Sequence, residues 1–269
     1  PFYYIIRAFG GKFLYGWDKK LGFFPYPKLG DKVIMLHGVS VGEVIALENL
    51  IKKIKTTFPA YKIVITTGTK TGQDIAHKKF DNIVDYITYF PFDIPFCVRK
   101  FLKRIKPSVV MIAETELWPT FAFHCNNRNI PLYIINGRIS DSTFNIYKFL
   151  KPFFTQVLKN YSGIYTQSEE DKNKLINIGS NPEKTVVMKN LKFDIKRTDS
   201  NIDIGQASYR VIIAGSTHKG EDEIIINAFK SLKKQFPDIK LLLAPRHLQR
   251  ASHVANIAKS TNLSCDFRS

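Results

Sequence analysis

Val33-Ile34-Met35-Leu36-His37-Gly38-Val39-Ser40-Val41-Gly42-Glu43 passes from a short apolar run through a glycine-flanked turn into a helical pattern. A strand handed to a helix through such a turn is the repeating joint of α/β folds. The turn sets the Glu43 carboxylate against exposed N–H groups and the positive end of the helix, which favour its ionised form. The sequence therefore predicts a carboxylate able to accept a proton or orient a hydroxyl at neutral pH. Ordinary N-terminal capping accounts for a glutamate there equally well.

The joint recurs along the chain. Val33–Leu36, Lys62–Thr67, Val84–Phe90, Val109–Ala113, Leu132–Asn136 and Gly163–Gln167 read as strands, with helical patterns between them. Val98, Phe101, Leu102 and Ile105 follow the i, i+3, i+4, i+7 spacing of a buried helix face, with Arg99, Lys100, Lys103, Arg104 and Lys106 on the remaining face. That helix reads as a solvated lid on the sheet, or as one whose cations meet lipid phosphate. Strand–helix alternation predicts a doubly wound parallel sheet with right-handed crossovers and sites at the carboxyl ends of its strands. Glu43, Thr66-Thr67-Gly68-Thr69, Glu114 and Arg138 all fall at such ends.

Between Phe193 and Tyr209 the pattern dissolves into Asp, Ser, Asn, Gly and Lys, the composition of a linker. A second α/β unit follows, with strands at Arg210–Ala214 and Ile239–Ala244 and helices at Gly220–Phe236 and His247–Ser260. Two strands and two helices do not close an α/β domain, so residues 210–269 are expected to be an incomplete one. Within this unit Gly215-Ser216-Thr217 follows a strand and precedes a helix, a cradle of N–H groups and hydroxyls suited to an anion. His218 and His247 read as caps or solvated residues.

Composition narrows the partners. A net charge of +17 over 269 residues calls for an anionic one: nucleic acid, a membrane surface or a phosphorylated substrate. No recognition-helix, RNA-strand-binding or zinc signature supports nucleic acid. Cys97, Cys125 and Cys265 are odd in number and far apart, which suits a reducing compartment. No apolar run reaches the ~18 residues of a membrane-spanning helix. Residues 1–30 instead interleave Phe2, Tyr3, Tyr4, Phe9, Phe13, Tyr15, Trp17, Phe23, Phe24 and Tyr26 with Arg7, Lys12, Lys19, Lys20 and Lys28. Such an arm suits the interface of an anionic bilayer, or packing on the body of the protein.

Four further segments end strands with unusual polar sets: Glu114-Thr115-Glu116-Leu117-Trp118-Pro119, Asn136-Gly137-Arg138-Ile139-Ser140, Asn190-Leu191-Lys192-Phe193-Asp194, and Ala214-Gly215-Ser216-Thr217-His218 with Ala244-Pro245-Arg246-His247. With the opening stretch they make the chain, from about residue 15 to 255, resemble the 3-deoxy-D-manno-octulosonic acid (Kdo) transferases. The resemblance implies a GT-B-like α/β fold, two Rossmann-like parallel-sheet domains facing a cleft, the second truncated in this chain. It divides the chain into a membrane-proximal arm (1–30), an acceptor domain (31–192), a linker (193–209) and the start of the donor domain (210–269), with a membrane anchor ahead of the arm.

The implied activity is inverting transfer of Kdo from CMP-Kdo to the lipid A precursor, lipid IVA, at the cytoplasmic face of the inner membrane of a Gram-negative cell. Neither cofactor nor metal is expected. Glu43 is implied as the base, Glu114 as a support of the transition state and Lys192 as the cation facing the leaving phosphate or the Kdo carboxylate. Ser40, Gly42 and Arg138 are implied to meet the acceptor, Arg138 alternatively bracing Glu114. Gly215, Ser216, Thr217, Pro245 and Arg246 are implied to hold the donor. Glu114 and Glu116 share a side if both lie on extended chain. The pair invites a metal or glycosidase reading, set aside because Trp118-Pro119 starts a helix at once and leaves Glu116 as a first-turn cap. The chain departs from the family's pattern with Lys189 for Gly before Asn190, Gly38 and Gly137 for Ala or Ser, and Thr120 for Asn. The alternatives are another GT-B sugar-nucleotide enzyme such as an epimerase, or a basic nucleic-acid-binding protein.

Overall fold

The computed structural model describes residues 15–25, 27, 29–191 and 209–267. Two compact units divide the chain, with the boundary between Lys196 and Arg197. The expected linker and most of the N-terminal arm lie outside the described residues, Tyr26 and Lys28 included.

After a short helix α1 (Trp17–Lys20), the first unit alternates β1 (Val33–Gly38), α2 (Val41–Ala46), α3 (Glu48–Thr57), β2 (Lys62–Thr67), α4 (Lys70–Phe80), β3 (Tyr86–Tyr89), α5 (Pro95–Ile105), β4 (Val109–Ala113), α6 (Pro119–Asn126), β5 (Leu132–Gly137), α7 (Asp141–Phe149), α8 (Lys151–Leu158), β6 (Gly163–Thr166), α9 (Glu169–Asn177) and β7 (Thr185–Val187). All seven strands are parallel, in the order β3-β2-β1-β4-β5-β6-β7. Every residue of β1 is buried, as a strand covered on both faces requires. The two faces have separate cores. Ile34, Leu36, Ile63 and Ile65 pack with Val44, Ile51 and Phe80 of α2, α3 and α4. Val33, Met35, Val64 and Val110 pack with Phe101, Phe121 and Phe154 of α5, α6 and α8. The strand order reverses between β1 and β4, so a crevice is expected at their carboxyl ends.

The sequence expectations meet this sheet with small boundary shifts. β3 is four residues, shorter than the expected run. β7 has no counterpart in the sequence reading, because Thr185-Val186-Val187 is too short to show a period and forms an edge strand. Cys97, Val98, Phe101, Leu102 and Ile105 of α5 are buried, while Arg99, Lys103 and Lys106 are exposed. Of the arm, Phe24 is buried against Phe101 and Tyr86. Lys20 is buried too, its ammonium donating to the Gly68 carbonyl at 3.1 Å, and burial brings its pKa down to about 8. Tyr15, Trp17 and Phe23 stay exposed. The described part of the arm thus packs in part on the body of the protein and leaves three aromatic side chains exposed.

Glu116 is not a cap. It precedes α6 by three positions, and the N-cap residue Trp118 offers no side-chain bond. Asp93 caps the helix instead, its carboxylate accepting the N–H groups of Thr120 at 3.1 Å and Phe121 at 2.7 Å. Burial raises its pKa.

In the second unit β8 (Val211–Thr217) and β9 (Lys240–Pro245) pair in parallel, with α10 (Glu221–Gln235) and α11 (Ala251–Ser260). Ile213 and Ile224 stay 67% and 70% exposed, unlike the covered central strand β1 of the first unit.

Replacing Asp93 with Ala leaves two N–H groups at the start of α6 without their acceptor, and should lower the stability of the first unit by about 1–3 kcal/mol in urea unfolding. An unchanged transition would show that water replaces the carboxylate without loss.

Candidate active site

At the end of β1 the chain turns through Val39 into α2, whose N-cap is Ser40. Glu43 closes a capping box. Its Oε2 accepts the Val39 N–H at 2.8 Å, its Oε1 accepts the Ser40 N–H at 3.3 Å, and the Ser40 hydroxyl accepts the Glu43 N–H at 3.4 Å. The second strand end is tied to the same turn, since the Thr69 hydroxyl donates to the Val39 carbonyl at 3.0 Å. That approach needs Gly68, where an added Cβ would lie 2.8 Å from Val39 Cγ1. Ser40 and Gly42 are exposed at the helix entrance.

Burial changes the electrostatics expected of this carboxylate. Glu43 is only 7% exposed, and loss of water pushes its pKa up. The hydrogen bonds from Ser40 and Val39 oppose that shift, and the negative charge of Glu114 adds to it. Burial therefore outweighs these hydrogen bonds in direction: Glu43 binds its proton more tightly than a solvated glutamate.

Glu114, at the end of β4, adopts φ 59°, so it is not extended and does not share a side with Glu116 by strand alternation. Its N–H donates to the Ile135 carbonyl of β5 at 2.9 Å. Asn136, at the end of β5, also sits at positive φ, 56°, and is buried. Its carbonyl accepts from Gln167 at 3.0 Å, and its side chain accepts the Leu191 N–H at 3.0 Å. Gln167 in turn accepts from Asn190 at 3.1 Å. This network brings the Asn190-Leu191 segment to the ends of β5 and β6; Lys192, next in the chain, lies outside the described residues. Lys189 occupies φ 68°, a conformation that glycine adopts without penalty. The turn thus forms in spite of the lysine, at a cost of roughly 1–2 kcal/mol.

Arg138 is exposed and makes no ion pair among the described residues, so it does not brace Glu114 there. Its loop is held from below, the Ile139 N–H donating to the buried Asp171 at 2.9 Å. Beneath the turn, His37 is wholly buried and stacks on Phe90 with ring centroids 4.1 Å apart. Its Nδ1 donates to the Thr66 carbonyl at 3.1 Å, and burial brings its pKa down to about 3, so it is neutral at physiological pH. A cavity of about 670 Å³ beside α5 is lined by Arg99, Lys100, Lys103, Lys106 and Arg128. Pro107 and Ile130, which precede β4 and β5, put it at the opposite edge of the sheet.

In the second unit Ser216 takes φ 61° at a register shift of β8, and Gly215 and Ser216 are exposed. Thr217 is used internally: its hydroxyl donates to the fully buried Asp222 at 2.6 Å, and Asp222 is paired with Arg250. Of the expected cradle, the Thr217 hydroxyl proton is thus engaged. The Arg246 N–H donates to the Thr217 carbonyl at 3.0 Å, joining the ends of β8 and β9, while its side chain is exposed next to Pro245.

Asp93, Asn136, Gln167, Asp171, Asp222 and Arg250 hold these loops and escaped the sequence reading. Asp171 carries a local signal as the capping partner of Ser168, three residues before it, and Asp222 lies five residues after its partner Thr217; the loop-holding bonds of Asp93, Asn136 and Gln167 reach partners far along the chain and leave no such signal.

Residues 15–195 match the model of the 3-deoxy-D-manno-octulosonic-acid transferase (kdotransferase) family. The chain is 37% identical over 243 residues to a bifunctional glycosyltransferase/methyltransferase of Fusobacterium nucleatum, covering 87% of this chain and 37% of that protein. It is 33% identical to the 3-deoxy-D-manno-octulosonic acid transferase of Haemophilus influenzae, covering 84% of this chain and 54% of the relative. The chain thus spans about half the length of such transferases. Among solved structures, UDP-GlcNAc 2-epimerase from Neisseria meningitidis aligns with TM-score 0.58 and 15% identity over 85% of this chain and 69% of that one. MurG of Acinetobacter baumannii aligns with TM-score 0.53 and 11% identity over 87% and 64%. At such identities the likeness shows the GT-B-type α/β fold alone.

The titration of Glu43 checks the electrostatics. Its side-chain carbon signal should titrate above those of exposed glutamates; Glu114→Gln should lower the midpoint and Ser40→Ala should raise it. A midpoint at or below the exposed group contradicts the burial argument.

Proposed function

The chain belongs to the 3-deoxy-D-manno-octulosonic-acid transferase family, and on that premise we propose that the protein moves Kdo from CMP-Kdo to lipid IVA, with inversion, in lipopolysaccharide synthesis. The observation that carries this reading is the buried Glu43, held by the Val39 and Ser40 N–H groups, with its proton affinity raised by burial and by Glu114. A base with affinity above that of a solvated carboxylate is better matched to an alcohol near neutral pH. In the proposed step an acceptor hydroxyl gives its proton to Glu43 as its oxygen bonds to the anomeric carbon of Kdo, and the bond to CMP breaks with its electron pair leaving on the phosphate. No covalent intermediate is required, so a single displacement inverts the centre.

The other roles follow from charge. Glu114 sustains the basicity of Glu43 and supports the transition state, Lys192 meets the departing phosphate or the Kdo carboxylate, and Arg138, with Ser40 and Gly42, meets the phosphorylated acceptor. Gly215, Ser216, Thr217, Pro245 and Arg246 contribute to the CMP site, Thr217 through its backbone. The exposed Ile213 and Ile224 support reading this second unit as part of a larger donor domain. We assign the protein to an anionic membrane surface, the cytoplasmic face of the inner membrane, on the strength of the exposed Tyr15, Trp17 and Phe23, the last with the Lys100 ammonium over its ring. Among the described residues no helix is long and apolar enough to cross a membrane.

In the complete transferase Glu43→Gln should keep donor affinity and lose at least about two orders of magnitude in turnover with CMP-Kdo and lipid IVA. Lys192→Ala should lower turnover more than donor affinity. Half the native rate in Glu43→Gln, or a pure rise in donor KM in Lys192→Ala, would remove the corresponding role.

A further inference from the structure

Helix α7 is apolar on two sides and buries none of its residues fully. Phe144 and Tyr147 turn inward onto the core, Tyr147 stacking on Phe154 with centroids 3.9 Å apart. Ile146, Phe149, Leu150 and Phe153 point the other way and are 60%, 87%, 44% and 49% exposed. Their i, i+3, i+4, i+7 spacing carries one stripe across the break at Leu150, which both ends α7 and starts α8. Side chains this large are seldom left in water as neighbours.

Charge and topology identify what covers the stripe. Between Asp141, which opens α7 and pairs with Lys174, and Glu169 the sequence has no Asp or Glu and contains Lys148, Lys151 and Lys159. Lys148 and Lys151 lie within the stripe's own span. α8 runs back to the amino end of β6, whereas α7 follows β5 directly, its N-cap Ser140 two residues after Arg138, so α7 begins at the carboxyl edge that carries Glu43, Glu114 and Arg138. A second copy of this chain would bring the same lysines, and a net charge of +17, against themselves. A surface that is apolar inside and anionic at its rim satisfies both halves of the patch.

We propose that Ile146, Phe149, Leu150 and Phe153 form an interfacial wedge that inserts into an anionic bilayer, with Lys148 and Lys151 at headgroup depth. This is a second membrane contact, separate from the N-terminal arm and independent of the catalytic assignment, and it turns the carboxyl edge of the sheet toward the lipid.

The test uses the full chain and phosphatidylcholine vesicles, plain or containing about a third phosphatidylglycerol. Phe149→Trp should shift to the blue and be quenched by brominated acyl chains on the anionic vesicles. Phe58→Trp, an exposed position at the far end of α3 (51% exposed), should not be. Replacing Phe149 and Phe153 together with Ser should weaken partition at least about tenfold. Replacing Lys148 and Lys151 with Gln should reduce the salt dependence of partition, the cations of the N-terminal arm supplying the rest. Phe149→Trp left unquenched on protein that has sedimented with vesicles would overturn the wedge, because another surface would then hold the membrane. Failure to bind anionic vesicles at all would overturn it equally, as would a dimer in solution that the double Ser variant dissociates. None of these readouts involves transfer, so loss of the catalytic reading would leave them unchanged.

Discussion

Two hydrogen bonds, from the Val39 and Ser40 N–H groups to the carboxylate of Glu43, fix the turn on which the candidate site depends at the first unit's carboxyl edge. They start α2, set the angle at which β1 hands over to it, and hold in one orientation a charged group that burial would otherwise oppose. Removing a carboxylate from water is costly unless hydrogen bonds replace the lost solvent. Here two backbone donors and a serine do so in part, and the remainder appears as raised proton affinity. Capping and basicity are therefore consequences of one arrangement, and choosing between them is unnecessary.

The loops around that carboxylate are held under backbone strain. Glu114, Asn136 and Lys189 all occupy the left-handed region, where each non-glycine residue costs of order 1–2 kcal/mol and asparagine least. Such residues persist only where neighbours over-determine them. For Asn136 those neighbours are visible: Gln167 and Leu191 bond to its backbone and side chain. Rigid loop ends of this kind would keep Glu114 at a fixed separation from Glu43, which is what its effect on the Glu43 proton requires.

Much of the scaffold was legible in the sequence, because parallel strands buried on both faces read as unbroken apolar runs and their helices keep a 3.6-residue period. Lys62–Thr67 and Val109–Ala113 are reproduced to the residue. The short edge strand Thr185–Val187 was not, since three residues carry no period. At the site, the segments were legible but their electrostatics were not. A helix N-terminus predicts an ionised glutamate; only the fold shows that this glutamate is 7% exposed. Glu116 looked like a cap because its sequence position is right, whereas the acceptor is supplied by Asp93, far earlier in the chain. Long-range partners of that sort, Asp171 for Ile139 and Asp222 for Arg250 among them, leave no trace in local spacing.

The central claim is that Glu43 is a base whose strength is set by burial and by Glu114. The pH dependence of kcat/KM for the complete transferase tests it most directly, since the acid limb reports the proton on the free enzyme's essential base. The account predicts a limb displaced above the ordinary carboxylate range, with activity rising as Glu43 loses its proton, and a shift of that limb to lower pH in Glu114→Gln. A limb at the ordinary carboxylate position, unmoved by Glu114→Gln, would contradict it.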